Sequence, residues 1–589
     1  MADRPSPHVL REYALLADGH RGALVGPRGD ISWLCAPHWH DDAVFSELIG
    51  GRGVFTIAPT SRFVWGGHYE RAGLIWRSRW VTDDGITECR EALAYPGDPH
   101  RLILMRRIMA VRGPTDVAVQ LFPAASFGVE TMREVQATTG GRWCAETGDL
   151  RIRVTGLPHA RFRDGEGLCA DVSLAEGAHH DIVVEISDVA LPAPPDVDHL
   201  WRSTEEAWHT AVPALNGGIA VEDTRQSYAV LRGMTAPGGG LAAAATLGLP
   251  ERARAGRDYD YRYVWIRDLC YAGMAVAVAE PLPLLDEAVA FVSARLLDDG
   301  PDLRPAYTVD GGNLPAEQAL NLPGYPGGAD IVGNHAGKQF QLDAFGEALQ
   351  LLAAAARFDH LDTAGYQAMS TAARAIAQRW RDPDAGIWEL DQRRWAQSRL
   401  ACVGGLRAAA ACAPRTDGAE WNVLADAILA DAADCGHPSG RWQRAPDDSR
   451  VDAALLLPAL RGAIPADHPR TRATVAAVAD DLARDFFVYR FHHDGRPLHD
   501  AEGAFALCGF LMAQAAHQQG DVVSAVRYFE RNRAACGPPG LLSEEYDVIQ
   551  RQMRGNLPQA FVHALLIESS LALADSRAGN SSLSGGRRQ

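Results

Sequence analysis

Ala190-Leu-Pro-Ala-Pro-Pro-Asp-Val197 divides the chain into two textures. Prolines at 192, 194 and 195 remove backbone donors and fix φ, so neither a helix interior nor a central strand runs through the stretch. Before it, from about residue 10 to 190, short runs of Val, Ile, Phe, Trp and Arg alternate with Gly/Pro/Asp turns. Leu102-Ile-Leu-Met-Arg-Arg-Ile-Met-Ala-Val111 and His180-Asp-Ile-Val-Val-Glu-Ile186 are examples, and the spacing predicts an antiparallel β-sandwich. After it comes a helical stretch holding Trp201 and Trp208, read as a linker.

Beyond about residue 225 the sequence turns to Ala- and Leu-rich segments of helical length. The clearest are Leu284 to Leu297, Gln339 to Arg357, Thr363 to Arg381, Arg472 to Arg484, Ala504 to Gln518 and Ala560 to Ala574. With weaker candidates they number about a dozen, as helices paired into a ring require. The expected organisation is a sandwich over 1–195, a helical linker over 196–225, a helical domain over 226–575 and a disordered tail rich in Ser, Gly and Arg over 576–589.

The length of 589 residues exceeds one ordinary core, and 47% apolar with 22% charged residues is a soluble globular balance. A net charge of -17 argues against a nucleic-acid partner, which needs clustered cations, and fits an uncharged small molecule. No apolar run reaches membrane-spanning length, and the start lacks the charged-then-apolar order of a signal peptide, so a cytoplasmic location is expected. The ten cysteines show neither Cys-x-x-Cys nor paired Cys/His spacing, so no metal is expected. Lys338 is the single lysine. A homo-oligomer is left open.

Residues 257 to 268, Arg-Asp-Tyr-Asp-Tyr-Arg-Tyr-Val-Trp-Ile-Arg-Asp, hold six charged side chains and four aromatic rings. Tyr259, Tyr261, Tyr263 and Trp265 recur every second residue, so an extended segment puts all four on one side. Aromatic faces stack on the CH faces of sugars, and the Arg267-Asp268 pair offers a donor and an acceptor to neighbouring hydroxyls. A Tyr-rich packing strand with a structural ion pair explains the stretch alone equally well.

Two glutamates stand out by context: Glu389 after Gly386-Ile-Trp388, and Glu544 after the turn Gly537-Pro-Pro-Gly540. Trp388 could give Glu389 an apolar wall that favours its protonated form, as a general acid needs, while a second, wetter carboxylate activates water. That division of labour is glycoside hydrolysis. Taken alone, an acidic residue beside a tryptophan is more often a surface charge on a hydrophobic edge.

From end to end the chain resembles glycoside hydrolase family 15, the glucoamylase and bacterial trehalase group. The resemblance rests on Gly22 to Pro37, Arg257 to Asp268, Gly324-Tyr325, Gly333-Asn334, Gln339 to Glu347, Gly386 to Glu389, Val451 to Leu456, Val488 to Arg490, Glu502 to Phe505, Gly540 to Glu545 and Gly555 to Phe561, in that order. It implies an (α/α)6 barrel preceded by an antiparallel β-sandwich, with no organic cofactor or metal. By its pattern Glu389 protonates the glycosidic oxygen and Glu544 takes a proton from water, with inversion. Tyr261, Trp265, Arg267, Asp268, Trp388 and Glu545 would bind the sugar.

Three places depart from the family's pattern. Val403, before Gly404-Gly405, and Leu511, in Cys508-Gly-Phe-Leu511, each stand where a tryptophan is usual, and Gly328 to Val332 lacks the usual arginine. Lost indoles and a lost cation imply either an altered outer pocket or drift in packing behind it. Lys338 could reach the pocket mouth and meet an acidic aglycone, or simply be solvated. The activity expected is that of an α,α-trehalase. The alternatives are a glucoamylase-type enzyme acting on malto- or isomalto-oligosaccharides, a biosynthetic enzyme using the same carboxylates on an unusual glycoside or non-sugar, and a non-catalytic sugar-binding protein.

Overall fold

The computed structural model describes residues 6–138, 140–252, 258–278, 280–493 and 495–584, with side chains as far as Ala574. Among the described residues the N-terminal third forms two antiparallel sheets of eight strands each. The first runs Ala14–Ala17, Gly22–Val25, Asp30–Cys35, Val54–Pro59, Thr115–Phe122, Gly167–Leu174 and Arg161–Arg163, with Ala43–Phe45 on its third strand. The second runs Arg133–Thr138, Arg142–Thr147, Leu150–Thr155, His179–Ser187, Arg101–Arg112, Ile86–Leu93, Trp76–Thr82 and Phe63–Tyr69.

Alternation places Leu102, Leu104 and Ile108 in one core with Phe55, Ile57, Val117, Val119 and Leu121. Arg106 shares that inward register. Its guanidinium donates to Phe55 O at 2.9 Å and to Gly29 O at 2.8 Å and pairs with Glu91, which offsets the cost of burying the cation.

Helix α1, Val197–Ala211, starts at Asp196, whose side chain accepts from His199 N. It lies on the sandwich: Trp208 stacks on Tyr95 at 3.9 Å, and Trp201 donates to Asp181 at 3.1 Å beneath the Arg90 guanidinium. The two tryptophans are thus anchors of a docked helix.

The rest is an (α/α)6 barrel. Among the described residues its inner ring consists of α3 (Ile266–Val276), α5 (Asp343–Arg357), α7 (Ala396–Ala410), α9 (Leu457–Leu460, preceded by the 3-10 turn Ala453–Leu456), α11 (Ala506–Gln518) and α13 (Ala560–Ser584), each packed on the next and α13 on α3. The outer layer is α2 (Val221–Met234), α4 (Pro283–Asp299), α6 (Thr363–Arg379), α8 (Arg415–Asp431), α10 (Pro469–Leu482) and α12 (Val522–Arg533). Helix α3 is buried along its whole length and α11 from Ala506 to Ala516, which matches sequences apolar on every side.

Gly346 and Gly405 let α5 and α7 touch backbone to backbone: a Cβ on Gly405 would lie 2.4 Å from Gly346 O. The segment read as a tail is helical to Ser584, and 585–589 lie outside the described residues.

Val403 and Leu511 are fully buried in this barrel core, on α7 and α11. The missing indoles therefore change packing behind the inner helices, and the reading of an altered outer pocket at these positions is corrected accordingly.

Candidate active site

Every inner helix begins at the same end of the barrel, and the residues in question stand at those beginnings. Arg267 and Asp268 open α3, Gln341 precedes and Asp343 opens α5, Glu389 precedes α7, Asp452 caps the turn before α9, Phe505 precedes α11, and Glu544 and Gln559 precede α13. Converging helix N-termini carry partial positive charge and unpaired N–H groups, a setting that suits carboxylates.

Here a cavity is lined by Glu251, Tyr259, Tyr261, Trp265, Arg267, Asp268, His335, Trp388, Glu389, Arg490, Phe505, Glu544, Gln559 and Phe561, with Ala243 and Ile387. Burial, and after it the carboxylates of Glu544, Glu251 and Glu389, pushes the Tyr261 phenol well above the ordinary range.

Glu389 has φ of 56°, a left-handed conformation that costs a non-glycine residue about 1 kcal/mol and marks a position held by its surroundings. The turn is built around Asp384, which accepts from Gly386 N at 2.6 Å and from Ser398 Oγ at 2.9 Å. It closes with Glu389 N donating to Gly386 O at 3.1 Å. Glu389 Oε1 accepts from Trp265 Nε1 at 2.6 Å and from Gln341 Nε2 at 3.2 Å. With Oε1 taken by two N–H donors, Oε2 is the oxygen free to carry a proton.

Trp388 does line the cavity, but its indole N–H is anchored to Asp452 at 2.9 Å and its ring meets Phe505 edge-on at 5.4 Å. The indole bonded to the acid is that of Trp265.

Arg267 donates to Ile387 O at 3.0 Å and pairs with Asp268 at 3.2 Å. Burial raises Asp268 to about 6 against the pull of Arg267. Glu544 is buried beside Gly555, which has φ of 75°; a Cβ there would stand 3.0 Å from Glu544 Cβ and Oε2.

Glu545 does not line the cavity. It accepts from Gly503 N at 2.7 Å and meets Arg490 at 3.5 Å, so its work is to fix the loops below the site. Glu251, Glu502 and Glu545 offer oxygens within 4.8 Å of one another, the density a metal ion needs. Arg490 bonds all three, so a guanidinium cation holds that position.

The aromatic run divides. Tyr259, Tyr261 and Trp265 line the cavity, with Tyr261 edge-on to Trp265 at 5.4 Å. A bend at Tyr263 breaks the strand alternation and turns its ring to His40 of the sandwich, 6.2 Å away. All four rings on one side was therefore wrong. Arg257 lies outside the described residues.

Arg262 clamps the same loop to the sandwich by donating to Asp41 O at 2.6 Å while pairing with Asp260 at 2.8 Å, and Trp33 donates to Ala245 O at 2.7 Å. Lys338 is exposed and is not among the residues that line the cavity, and Ile331–Val332 pair with Gln318–Ala319. Glu251, Tyr259, His335, Arg490, Phe505, Gln559 and Phe561 join the lining without having been singled out as site residues.

Below Arg267, burial also raises Asp343 to about 6 and Glu347 to about 7. A carboxyl whose folded pKa is raised holds its proton where the unfolded chain has released it. Its contribution is complete below about pH 4 and is lost as pH rises through 6 to 7. The melting temperature should therefore fall between pH 5 and pH 8. Asp343→Asn should reduce that fall by roughly 1–3 kcal/mol of stability, read by scanning calorimetry at both pH values; an unchanged slope would remove Asp343 from the account.

The sequence profile described as glycosyl hydrolases family 15 matches residues 225–571. The chain belongs to that family. It is a glycoside hydrolase. A family 15 domain is here joined to a second profile, described as trehalase-like, N-terminal, over residues 4–188, the sandwich.

Over 96% of its length the chain is 29% identical to a trehalase of Mycobacterium tuberculosis, covering 89% of that protein. It is 24% identical to a trehalase of Thermoplasma acidophilum over 92% of the chain and 97% of that protein. A bacterial glucoamylase solved with acarbose superposes with a TM-score of 0.68 at 14% identity, covering 97% of this chain and 96% of that one, a likeness of fold. No described helix of the family 15 chain is long and apolar enough to cross a membrane.

Proposed function

We propose that the protein is an inverting α,α-trehalase in which Glu389 is the general acid and Glu544 the general base. The observation that carries the reading is that two carboxylates, distant in sequence, enter one cavity from different loops, beside an Arg267-Asp268 pair able to grip sugar hydroxyls. Glu389 Oε2 gives its proton to the glycosidic oxygen while Oε1 is steadied by Trp265 and Gln341. Glu544 takes a proton from a water on the other side of the anomeric carbon. Asp268 and Arg267 hold the hydroxyls of the first ring, and Tyr261 and Trp265 stack on its apolar face.

The choice of trehalose is supported by relatives of that name along nearly the whole chain and by the trehalase-like N-terminal profile. A neutral disaccharide also suits a lining in which Glu251, Asp268, Glu389 and Glu544 outnumber Arg267 and Arg490. Ten free cysteines accord with a reducing, cytoplasmic setting.

The test is proton NMR of the first products from trehalose, before mutarotation. Inversion at one anomeric carbon releases one β-glucose, and the other ring leaves as α-glucose because its own C1–O bond is never broken. Equal α and β signals are expected. Only α-glucose would mean retention, and turnover of maltose or isomaltose but not trehalose would make this a glucoamylase-type enzyme. Turnover of none would favour the biosynthetic alternative.

A further inference from the structure

The loop that carries Glu544 is held at several points, and Glu544 O itself accepts from Ala506 N at 3.0 Å. Upstream, Gly540 N closes a turn on Gly537 O at 2.9 Å. Downstream, Glu545–Asp547 enters a three-stranded sheet with Ala504–Phe505 and Gln552–Arg554. Between them, two residues before Glu544, both backbone groups of Leu542 are held by the first turns of α13. Leu542 O accepts from Gln559 N at 2.9 Å, and Leu542 N donates to His563 Nε2 at 3.1 Å.

His563 is fully buried, and its Nδ1 lies 3.0 Å from Ser227 Oγ on the outer helix α2. Because Nε2 must accept from a backbone N–H, the ring proton sits on Nδ1 and points to Ser227. One imidazole therefore ties the outer layer, the inner helix and the Glu544 loop together.

We infer that His563 is a positioning residue for Glu544: a neutral imidazole clamped between Ser227 Oγ and Leu542 N–H fixes the backbone ahead of the base and so aims its carboxylate at the attacking water. The inference rests on the reading of Glu544 as base. Burial holds the imidazole down to about 3, so the clamp stays neutral wherever the enzyme is folded and does not itself titrate. A base displaced by about 1 Å loses on the order of 100-fold in rate, so a clamp of this kind affects turnover more than binding.

The experiment compares His563→Asn, His563→Gln and Ser227→Ala in the full-length enzyme, by kcat and KM on trehalose and on α-glucosyl fluoride and by melting temperature. Asn cannot reach Leu542 N, whereas the Gln carbonyl can replace Nε2 as acceptor. H563N should lose about 30- to 100-fold in kcat, by the same factor on both substrates because water activation is common to them, with KM within about twofold. H563Q should recover most of that loss. In a Glu544→Ala background H563N should cost nothing further, since there is no base left to aim.

If H563N does not fold, S227A decides: it keeps the ring and removes only its partner, and about fivefold lower kcat is expected with little change in melting temperature. Unchanged kcat in S227A, a loss confined to KM, or H563N and Glu544→Ala effects that simply add would overturn the inference while leaving the base reading intact. A Glu544→Ala enzyme with near-normal turnover would overturn the base reading itself, whatever His563 does.

Discussion

Glu389→Gln should turn over trehalose about 10³-fold more slowly than the wild type, yet hydrolyse α-glucosyl fluoride at close to its rate. Positioned proton transfer contributes roughly 10²–10⁴-fold, or about 4 kcal/mol at the centre of that range. Departure of a sugar oxygen needs that proton. Fluoride leaves without one, so an amide that keeps the shape of the carboxyl should be nearly silent on the fluoride.

The geometry favours a clean result. Trp265 Nε1 and Gln341 Nε2 donate to Glu389 Oε1 at 2.6 and 3.2 Å, and the amide oxygen introduced by the substitution can accept the same pair. The replaced atom is then the proton-bearing Oε2. Equal losses on both substrates would mean that Glu389 binds the sugar rather than protonating the leaving group, and no loss on either would end its candidacy.

Much of this architecture was readable from pattern. The strand runs around Leu102 and His180 extend over Arg101–Arg112 and His179–Ser187, because inward alternation against a single core leaves a period of two in the sequence. The helix expected over Leu284 to Leu297 is Pro283–Asp299, and that expected over Ala560 begins there. Boundaries failed where the site took residues for itself. Gln339 to Leu342 carry helix-forming side chains, yet α5 starts at Asp343, since Gln341 instead reaches Glu389 and Arg267 from irregular backbone. The strand expected through Tyr263 bends for the same kind of reason, so that its neighbours Tyr261 and Trp265 can face the cavity.

Glu389 and Glu544 were legible because each follows a tight Gly turn, and Gly386 with φ of 67° and Gly540 with φ of 71° do adopt the conformation that glycine allows. Glu545 was misread because adjacency in sequence says nothing about direction: next to a strand, alternate side chains point to opposite faces. Glu251 gave no local sign at all, and Gln341 and Gln559 lie in quoted stretches, Gln339 to Glu347 and Gly555 to Phe561, without a sign that singles them out. Each is one polar residue in a loop, and only closure of the ring brings loops from residues 251 and 559 to one cavity. Asp452 was within reach, since it lies in the stretch Val451 to Leu456, but its task of holding Trp388 Nε1 at 2.9 Å is a tertiary one.

Glu544→Ala should lose about 10³- to 10⁴-fold on trehalose and, unlike the Glu389 variant, a comparable factor on α-glucosyl fluoride, because both substrates need an activated water. Azide should then restore turnover of the fluoride, since an anion attacks without a base, and the product should be β-glucosyl azide, identified by NMR and mass spectrometry. Attack from the face opposite the leaving group requires that anomer. The substitution leaves a buried space the size of the lost carboxylate for the anion, beside the backbone of Gly555, where a Cβ would have come within 3.0 Å of Glu544 Oε2.

Gly555→Ala offers an independent check on the same point. Its Cβ would press on the carboxylate while its φ of 75° resists any side chain, so turnover should fall with Glu544 still present. An α-configured azide, or loss on trehalose without loss on the fluoride, would transfer the role of base to another carboxylate. Among those lining the cavity Glu251 and Asp268 are then the ones left, each already paired with an arginine, Arg490 and Arg267, at 3.2 Å.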